Sequence, residues 1–455
     1  MEMVLEFLRD VLSQPALLIG IMSCIGLIAL KRPFHKVMTG TLKPILGYLM
    51  LAAGAGVIVN NLDPLGKMIE HGFHITGVVP NNEAIVAVAQ KVLGVETMSI
   101  LVVGLLMNLC IARFTKFKYV FLTGHHSLFM ACLMSAVLGT AGLSGMELIL
   151  VGGFLMGAWS AISPAIGQSY TSKVTEGDEI AIGHFGSLGY YLSAWVAKYV
   201  GKADDSTEDI EIPEKWGFLR DSTLSTALTM IVFYLIAAFA AGSEFVATLS
   251  GDMSPYLYAV MSAMNFAVGV TIVYSGVRMI LGDLIPAFQG IATKIIPNAI
   301  PAVDCAVFFT YAPTAVVLGF ISSFIGGIIG MLILGAVGGV LIIPGLVPHF
   351  FCGATAGIYG NATGGRRGAA VGAFLNGLAI TFLPALALPV LGQLGFQNTT
   401  FGDADFAVMG LVLGHTFEWI GMAGIYGIVA IAALVLIIPN FIKTKGKVIN
   451  YVEEE

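Results

Sequence analysis

The chain has 455 residues, of which 57% are hydrophobic and 11% charged, with a mean hydropathy of +0.89. That is more apolar surface than a soluble core of this length can hide, so a soluble globular enzyme is excluded and an all-α polytopic membrane protein is implied. The net charge of −6 carries no message about partners, because it arises largely between Asp204 and Asp221 and from Glu453, Glu454 and Glu455.

Taken in chain order, Met1 to Leu12 carries Glu2, Glu6 and Asp10, the wrong sign for a secretory signal, and is expected to lie as an amphipathic helix on the membrane. With the apolar run 15–30 it makes a first unit over 1–37. Runs at 41–59, 98–112 and 146–163 belong to a first repeat over 38–200. The hydrophilic stretch 201–222 reads as a cytoplasmic linker, and the run 223–241 as a linking span within 223–254. Runs at 256–281, 315–343, 369–391 and 420–441 make a second repeat over 255–442, followed by a tail at 443–455. Several runs reach the ~20 residues of a spanning helix. Others are short or broken by Gly and Pro, which predicts re-entrant hairpins; hydropathy supports roughly ten to twelve spans. Lys31, Arg32, Lys36 and Lys43, then Arg113, Lys116 and Lys118, then Lys443, Lys445 and Lys447 mark the cytoplasmic side, giving an outside N-terminus and an odd number of spans.

Ionisable residues recur in the same order in the two halves. Pro80-Asn-Asn-Glu83, Thr123-Gly-His125 and Gly183-His184 stand against Pro301-Ala-Val-Asp304, Val347-Pro-His349 and Gly414-His415. The first His follows the acid by 42 and 45 residues, the second by 101 and 111. Ionisable groups at membrane depth mark solute pathways, and duplicated halves place a site where they meet, so the chain reads as a transporter. The single run joining the halves favours an inverted repeat. Glu83 and Asp304 are expected to converge with His125 and His184 on one midplane cavity, with His349 and His415 in the related positions.

Other readings of these residues are open. Glu83 and Asp304 each follow a Pro by three positions and fit helix N-terminal capping as well as a site. His126 suits a backbone carbonyl partner, and His415 with Glu418, three apart, suits a simple pair. Cys24, Cys110, Cys132, Cys305 and Cys352 lack metal-ligand spacing and are expected as free thiols. No metal or cofactor is expected. No Gly-x4-Gly-Lys-Ser/Thr occurs, so energy must come from an ion gradient or another protein.

Leu122-Thr-Gly-His125, Ile182-Gly-His184, Asp283-Leu-Ile-Pro-Ala-Phe-Gln-Gly-Ile, Val303-Asp304-Cys305-Ala and Ala312-Pro-Thr-Ala-Val-Val-Leu-Gly-Phe320 resemble the membrane-embedded IIC component of the ascorbate-type phosphotransferase system, in the ascorbate and galactitol group. The resemblance runs nearly end to end. It implies a homodimer in the bacterial cell membrane with about eleven spans, a V-motif scaffold and a core that moves like an elevator. The chain itself would not be an enzyme; a separate IIB protein, supplied by IIA, phosphorylates the sugar. The implied substrate contacts are Asn82, Glu83, His125, Phe129, His184, Phe185 and Asp304, with His126 beside them. Ascorbate carriers tend to have Thr-Tyr in place of Asn82-Glu83 and Gln in place of Phe129 and Phe185, so ascorbate and a neutral polyol or pentose both stand as substrates. An ion-coupled secondary transporter of a polyol or sugar is the alternative mechanism, and a membrane-embedded acid-base enzyme a third.

Overall fold

The computed structural model describes residues 11, 14–74, 77–78, 80, 82–210, 222–392 and 400–441. The expected N-terminal surface helix, residues 211–221 of the expected linker and the C-terminal tail lie outside the described residues. Two helices of forty residues each organise the first body: α2, Phe34–Phe73, and α9, Pro255–Lys294. Glycines at a seven-residue interval let them touch. A Cβ on Gly47 would stand 2.8 Å from the Gly276 carbonyl oxygen, and one on Gly54 2.7 Å from that of Gly269. The pairing of 47 with 276 and 54 with 269 makes the crossing antiparallel, and it is held by backbone proximity, as membrane helices are. The helices α1, Pro15–Ala29, and α7, Ser222–Ala241, pack on this pair, and α7 turns by 117° into α8, Ser243–Ser250.

The second body gathers the remaining helices: α3, Asn82–Phe114; α4, Gly124–Thr140; α5, Gly145–Thr175; α6, Ser187–Val200; α10, Pro313–Ala336; α11, Leu346–Gly392; α12, Ala404–Ile420; and α13, Met422–Phe441. α3 and α5 meet through Gly104, Gly153 and Gly157, where a Cβ on Gly157 would be 2.7 Å from the Gly104 carbonyl oxygen. α11 is not one rod. Gly364 (φ −145°) and Gly365 (φ +61°, ψ −155°) reverse it, and a Cβ on Gly360 would lie 2.4 Å from the carbonyl oxygen of Gly368. In a continuous helix residues eight apart are about 12 Å apart, so the two legs form a helical hairpin. Both legs contact α10, through Gly319 with Gly353 and Gly357, and through Gly326 with Phe374. Only Gly is at ease in the backbone conformation of position 365.

Seven described helices are long and apolar enough to cross a membrane, or eight if α7 and α8 form one bent span. The chain is a polytopic all-α membrane protein. Among the described helices, α1, α4, α6 and α12, with 15, 17, 14 and 17 residues, fall short of that length, and the α11 hairpin counts once. These are the Gly-interrupted segments that hydropathy alone cannot divide.

At the centre of the second body is a three-stranded parallel sheet: β1, Tyr119–Phe121; β2, Ala181–Ile182; and β3, Ile300–Val303, in the order β1-β3-β2. Irregular backbone at membrane depth survives only when protein satisfies it, and here amide side chains close both edges. Asn108 of α3 donates to the Tyr119 carbonyl (3.1 Å) and accepts from the Phe121 N–H (3.0 Å), while Gln168 of α5 donates to the Ile180 carbonyl (3.1 Å). The central strand comes from the other half of the chain. A second, smaller exchange pairs Val78 in parallel with Ile342: the segment after α2 bonds the segment after α10, just as β3, after α9, bonds β1, after α3. The second half thus lends a strand to the first, and the first lends a single bridge residue to the second.

Candidate functional site

Three parallel strands that end together deliver their next residues to one edge. β1 runs into α4 and presents His125 and His126; β2 runs into Gly183-His184; β3 runs into Asp304. The register continues past the strands, since Leu122 N–H donates to the Ala302 carbonyl (2.9 Å) and Gly183 N–H to that of Val303 (2.7 Å). Asp304 is buried, and its Oδ1 accepts from the Ala306 N–H (3.1 Å) at the start of a 3₁₀ turn, Cys305–Thr310. This is the capping role that its place after Pro301 suggested. Its second oxygen, Oδ2, lies 3.5 Å from His125 Nε2, and His125 Nδ1 lies 3.3 Å from the Tyr48 hydroxyl on α2. With Nε2–H facing the carboxylate, Nδ1 is the acceptor for the tyrosine proton. The run Tyr48, His125, Asp304 therefore ties the first body to the second.

Backbone N–H groups set the other two imidazoles. His184 Nδ1 accepts from Gly186 N–H (3.1 Å) and lies 2.8 Å from the Tyr190 hydroxyl; His126 Nδ1 accepts from Phe185 N–H (3.3 Å). His126 thus takes an N–H rather than giving to a carbonyl. In both rings the proton falls on Nε2. The two rings are tilted by 45° with centroids 3.8 Å apart, and His126 stacks on Phe406. Two sets of three ligand-type side chains, His126 with His184 and Asp403, and His184 with Asp304 and Cys305, bring one atom each within 4.8 Å of one another. A cation there would need the bare nitrogens that the backbone N–H groups already occupy, so the donor set does not favour a metal.

These groups form one end of a cavity of about 1220 Å³. Tyr48, Asn82, His125, His126, Phe129, His184, Asp304, Cys305, Cys352 and Asp403 line it, and apolar side chains of α2, α7 and α10, among them Leu51, Val59, Phe233 and Phe324, continue its wall. Asp63, Lys67 and Glu70 line its far part, with Lys67 Nζ 2.8 Å from Asp63. From Tyr48 to Asp63 is about 22 Å along α2 at 1.5 Å per residue.

Of the residues singled out from sequence, Asn82, His125, His126, Phe129, His184 and Asp304 border this cavity. Phe185 does not: its ring is fully buried against Phe121 and Phe406, and its backbone serves instead, donating to His126 and accepting from the Asp405 N–H (2.9 Å). Glu83 opens α3, and its side chain lies outside the described residues.

His349 and His415, expected in the related positions of the second half, are not among the residues lining this cavity. His349 is buried beside α10, its Nδ1 2.9 Å from Ser323 Oγ. His415 is 2.9 Å from Glu418 and stacks on Trp419 at an exposed end of α12, the simple pairing that their spacing allowed. By spacing, the residue that matches His184 in the second half is Asp403. It follows Phe401-Gly402 as His184 follows Ile182-Gly183, and it lies 99 residues beyond Asp304, as His184 lies 101 beyond Glu83. The signal was an apolar-Gly-ionisable triplet at matched spacing, hidden because the ionisable residue changes type. Asp403 Oδ2 accepts from Asn82 Nδ2 (2.6 Å) and Oδ1 from the Cys352 thiol (2.9 Å), while Asn82 Oδ1 accepts from Gly402 N–H (2.9 Å). The cysteines are free, as expected, but Cys305 and Cys352 are wall residues. Asp405, also missed, is wholly buried and accepts from Ser187 Oγ, Leu188 N–H and Trp159 Nε1, tying the start of α6 to α12.

A polar cavity where two exchanged halves of a polytopic helical protein meet is the architecture of a membrane permease. The chain belongs to the family of PTS system sugar-specific permease components, whose model matches residues 10–405. It is 28% identical over 417 residues to the "Ascorbate-specific PTS system EIIC component" of Mycoplasma pneumoniae (strain ATCC 29342 / M129 / Subtype 1), over 78% of this chain and 62% of that protein. The chain thus spans less than two thirds of the length of that relative.

Proposed function

We propose that the protein is the IIC permease of a phosphotransferase system, carrying ascorbate or a related small polyhydroxylated solute across a bacterial cell membrane as a homodimer. A separate IIB protein, charged by IIA, phosphorylates the cargo; no phosphoryl chemistry is assigned to this chain. The observation that carries the reading is the arrival of His125, His184 and Asp304, each from its own family motif, at one edge of a small sheet on one cavity. Asn82, Glu83, His126, Phe129 and Phe185 complete the proposed substrate set, Phe185 through its backbone. The Mycoplasma relative is named for ascorbate, which keeps that solute beside the neutral polyols in the proposed class.

Translocation is by an elevator movement of the second body, the core, against the scaffold of α1, α2, α7 and α9. The proposed repeats run over 38–200 and 255–442, joined by the linker 201–222 and the linking span 223–254, and the exchange of strands between them supports an inverted duplication. With Lys31, Arg32, Lys36 and Lys43 in the cytoplasm, the cavity end at Asp63 and Lys67 faces outside, so this conformation accepts solute. The test is uptake in cells or right-side-out vesicles supplied with labelled solute. Phosphorylated solute should accumulate only when phosphoenolpyruvate and the soluble carriers are present. Accumulation of unmodified solute on a proton or sodium gradient alone would defeat the proposal in favour of an ion-coupled transporter.

A further inference from the structure

We propose that Asp403 is a substrate-contacting, specificity-determining residue, and that it makes the cargo a neutral polyhydroxylated solute, an alditol or sugar, rather than an anion. The inference rests on the permease reading above and narrows it. Asp403 is buried, borders the cavity and has an oxygen within 4.8 Å of ring nitrogens of both His126 and His184. Asp304 likewise has an oxygen within 4.8 Å of a His184 ring nitrogen, so the polar end of the cavity holds two carboxylates around imidazoles whose protons sit on Nε2.

Among the described residues, neither acid is paired with a Lys or Arg. Lys67 is the one Lys or Arg among the described lining residues, and it is paired with Asp63 far along α2. Among the described residues, each Asp403 oxygen takes a single donor, from Asn82 or Cys352, which orients the group and leaves a lone pair on each oxygen. A hydroxyl matches that pattern from both sides, since it donates to a carboxylate and accepts from an imidazole N–H. An anion meets two like charges in a poorly solvated pocket and finds no partner for its own.

The experiment is equilibrium binding to the purified full-length protein in detergent at pH 7.5, with labelled xylitol, sorbitol, mannitol, galactitol, arabinose and ascorbate, for wild type and Asp403→Asn. At least one neutral solute should bind wild type about tenfold or more tighter than ascorbate. Asp403→Asn should weaken that solute by about tenfold or more, the loss of a hydrogen bond to a charged acceptor, and should tighten ascorbate. A purely structural role for Asp403 would weaken all ligands together and leave the ratio of affinities unmoved, which overturns the proposal. The wild-type ranking needs no variant: tighter binding of ascorbate than of every neutral probe, or no binding of any neutral probe, overturns it as well. Binding requires no phosphoenolpyruvate, so a failure of energy coupling in the uptake test leaves this outcome separately readable.

Discussion

Two glycines on the same face-forming stretch of α2 should respond to the same substitution with opposite sign. A Cβ at Gly54 would fall 2.7 Å from the Gly269 carbonyl oxygen and 2.8 Å from the Val273 nitrogen, both backbone atoms of α9, whereas a Cβ at Gly56 meets nothing within 4 Å. Both changes to Ala gain the same helix preference, about 0.5–1 kcal/mol. At Gly54 that gain is outweighed, because backbone cannot rotate aside and the two long helices must separate; overpacking of this kind costs about 1–3 kcal/mol. Gly54→Ala should therefore lose up to about 2 kcal/mol while Gly56→Ala gains up to about 1. For a chain of this length a kcal/mol moves the melting midpoint by roughly 2 °C or less, so the two variants should separate by a few degrees. The assay is a thermal melt in detergent at one fixed heating rate, followed by fluorescence-detected size exclusion. Equal midpoints for the two variants, or Gly54→Ala as the more stable, would show that the α2/α9 seam is not a close backbone contact and would refute the reasoning.

Two further predictions concern the hairpin and the tie between the bodies. Gly365→Ala places a side chain at φ +61° and 2.3 Å from the carbonyl oxygens of Lys202 and Asp205, so a loss of about 1–3 kcal/mol from backbone strain alone should appear as a lower midpoint and weaker expression, with a larger fall than Gly66→Ala, whose Cβ meets only Leu346 Cδ1 at 3.9 Å. Tyr48→Phe removes the hydroxyl beside His125 Nδ1 and leaves a half-buried acceptor unpaired, a change of about 1 kcal/mol; solute affinity should fall about fivefold with little change in melting midpoint, and unchanged affinity would remove Tyr48 from the site.

The membrane class and the outline of the site were legible because their causes are local. Long apolar runs can be only spanning helices, and Thr123-Gly-His125, Gly183-His184 and Val303-Asp304 are each short motifs whose residues stay together wherever the chain folds. The recurrence of ionisable residues in the two halves was legible too, but which of them reach the cavity was not: similarity of residue type pointed to His415, while Asp403 lines the wall. Nothing local says that Asn82 bonds an aspartate more than three hundred residues away, that Asn108 and Gln168 close the edges of a sheet, or that α11 folds back at Gly364 and Gly365 instead of running on.

The sequence by itself determined which segments enter the membrane and which side chains are too polar to face lipid, since both follow from the cost of transferring each residue out of water. Tertiary structure alone decided which of those polar groups meet. A buried hydrogen-bonding group must find a partner, but at membrane depth that partner comes from whichever helix end or strand edge the packing brings within about 3 Å, and residues from opposite halves, such as Asn82 and Asp403, become neighbours only through the packing of the folded chain.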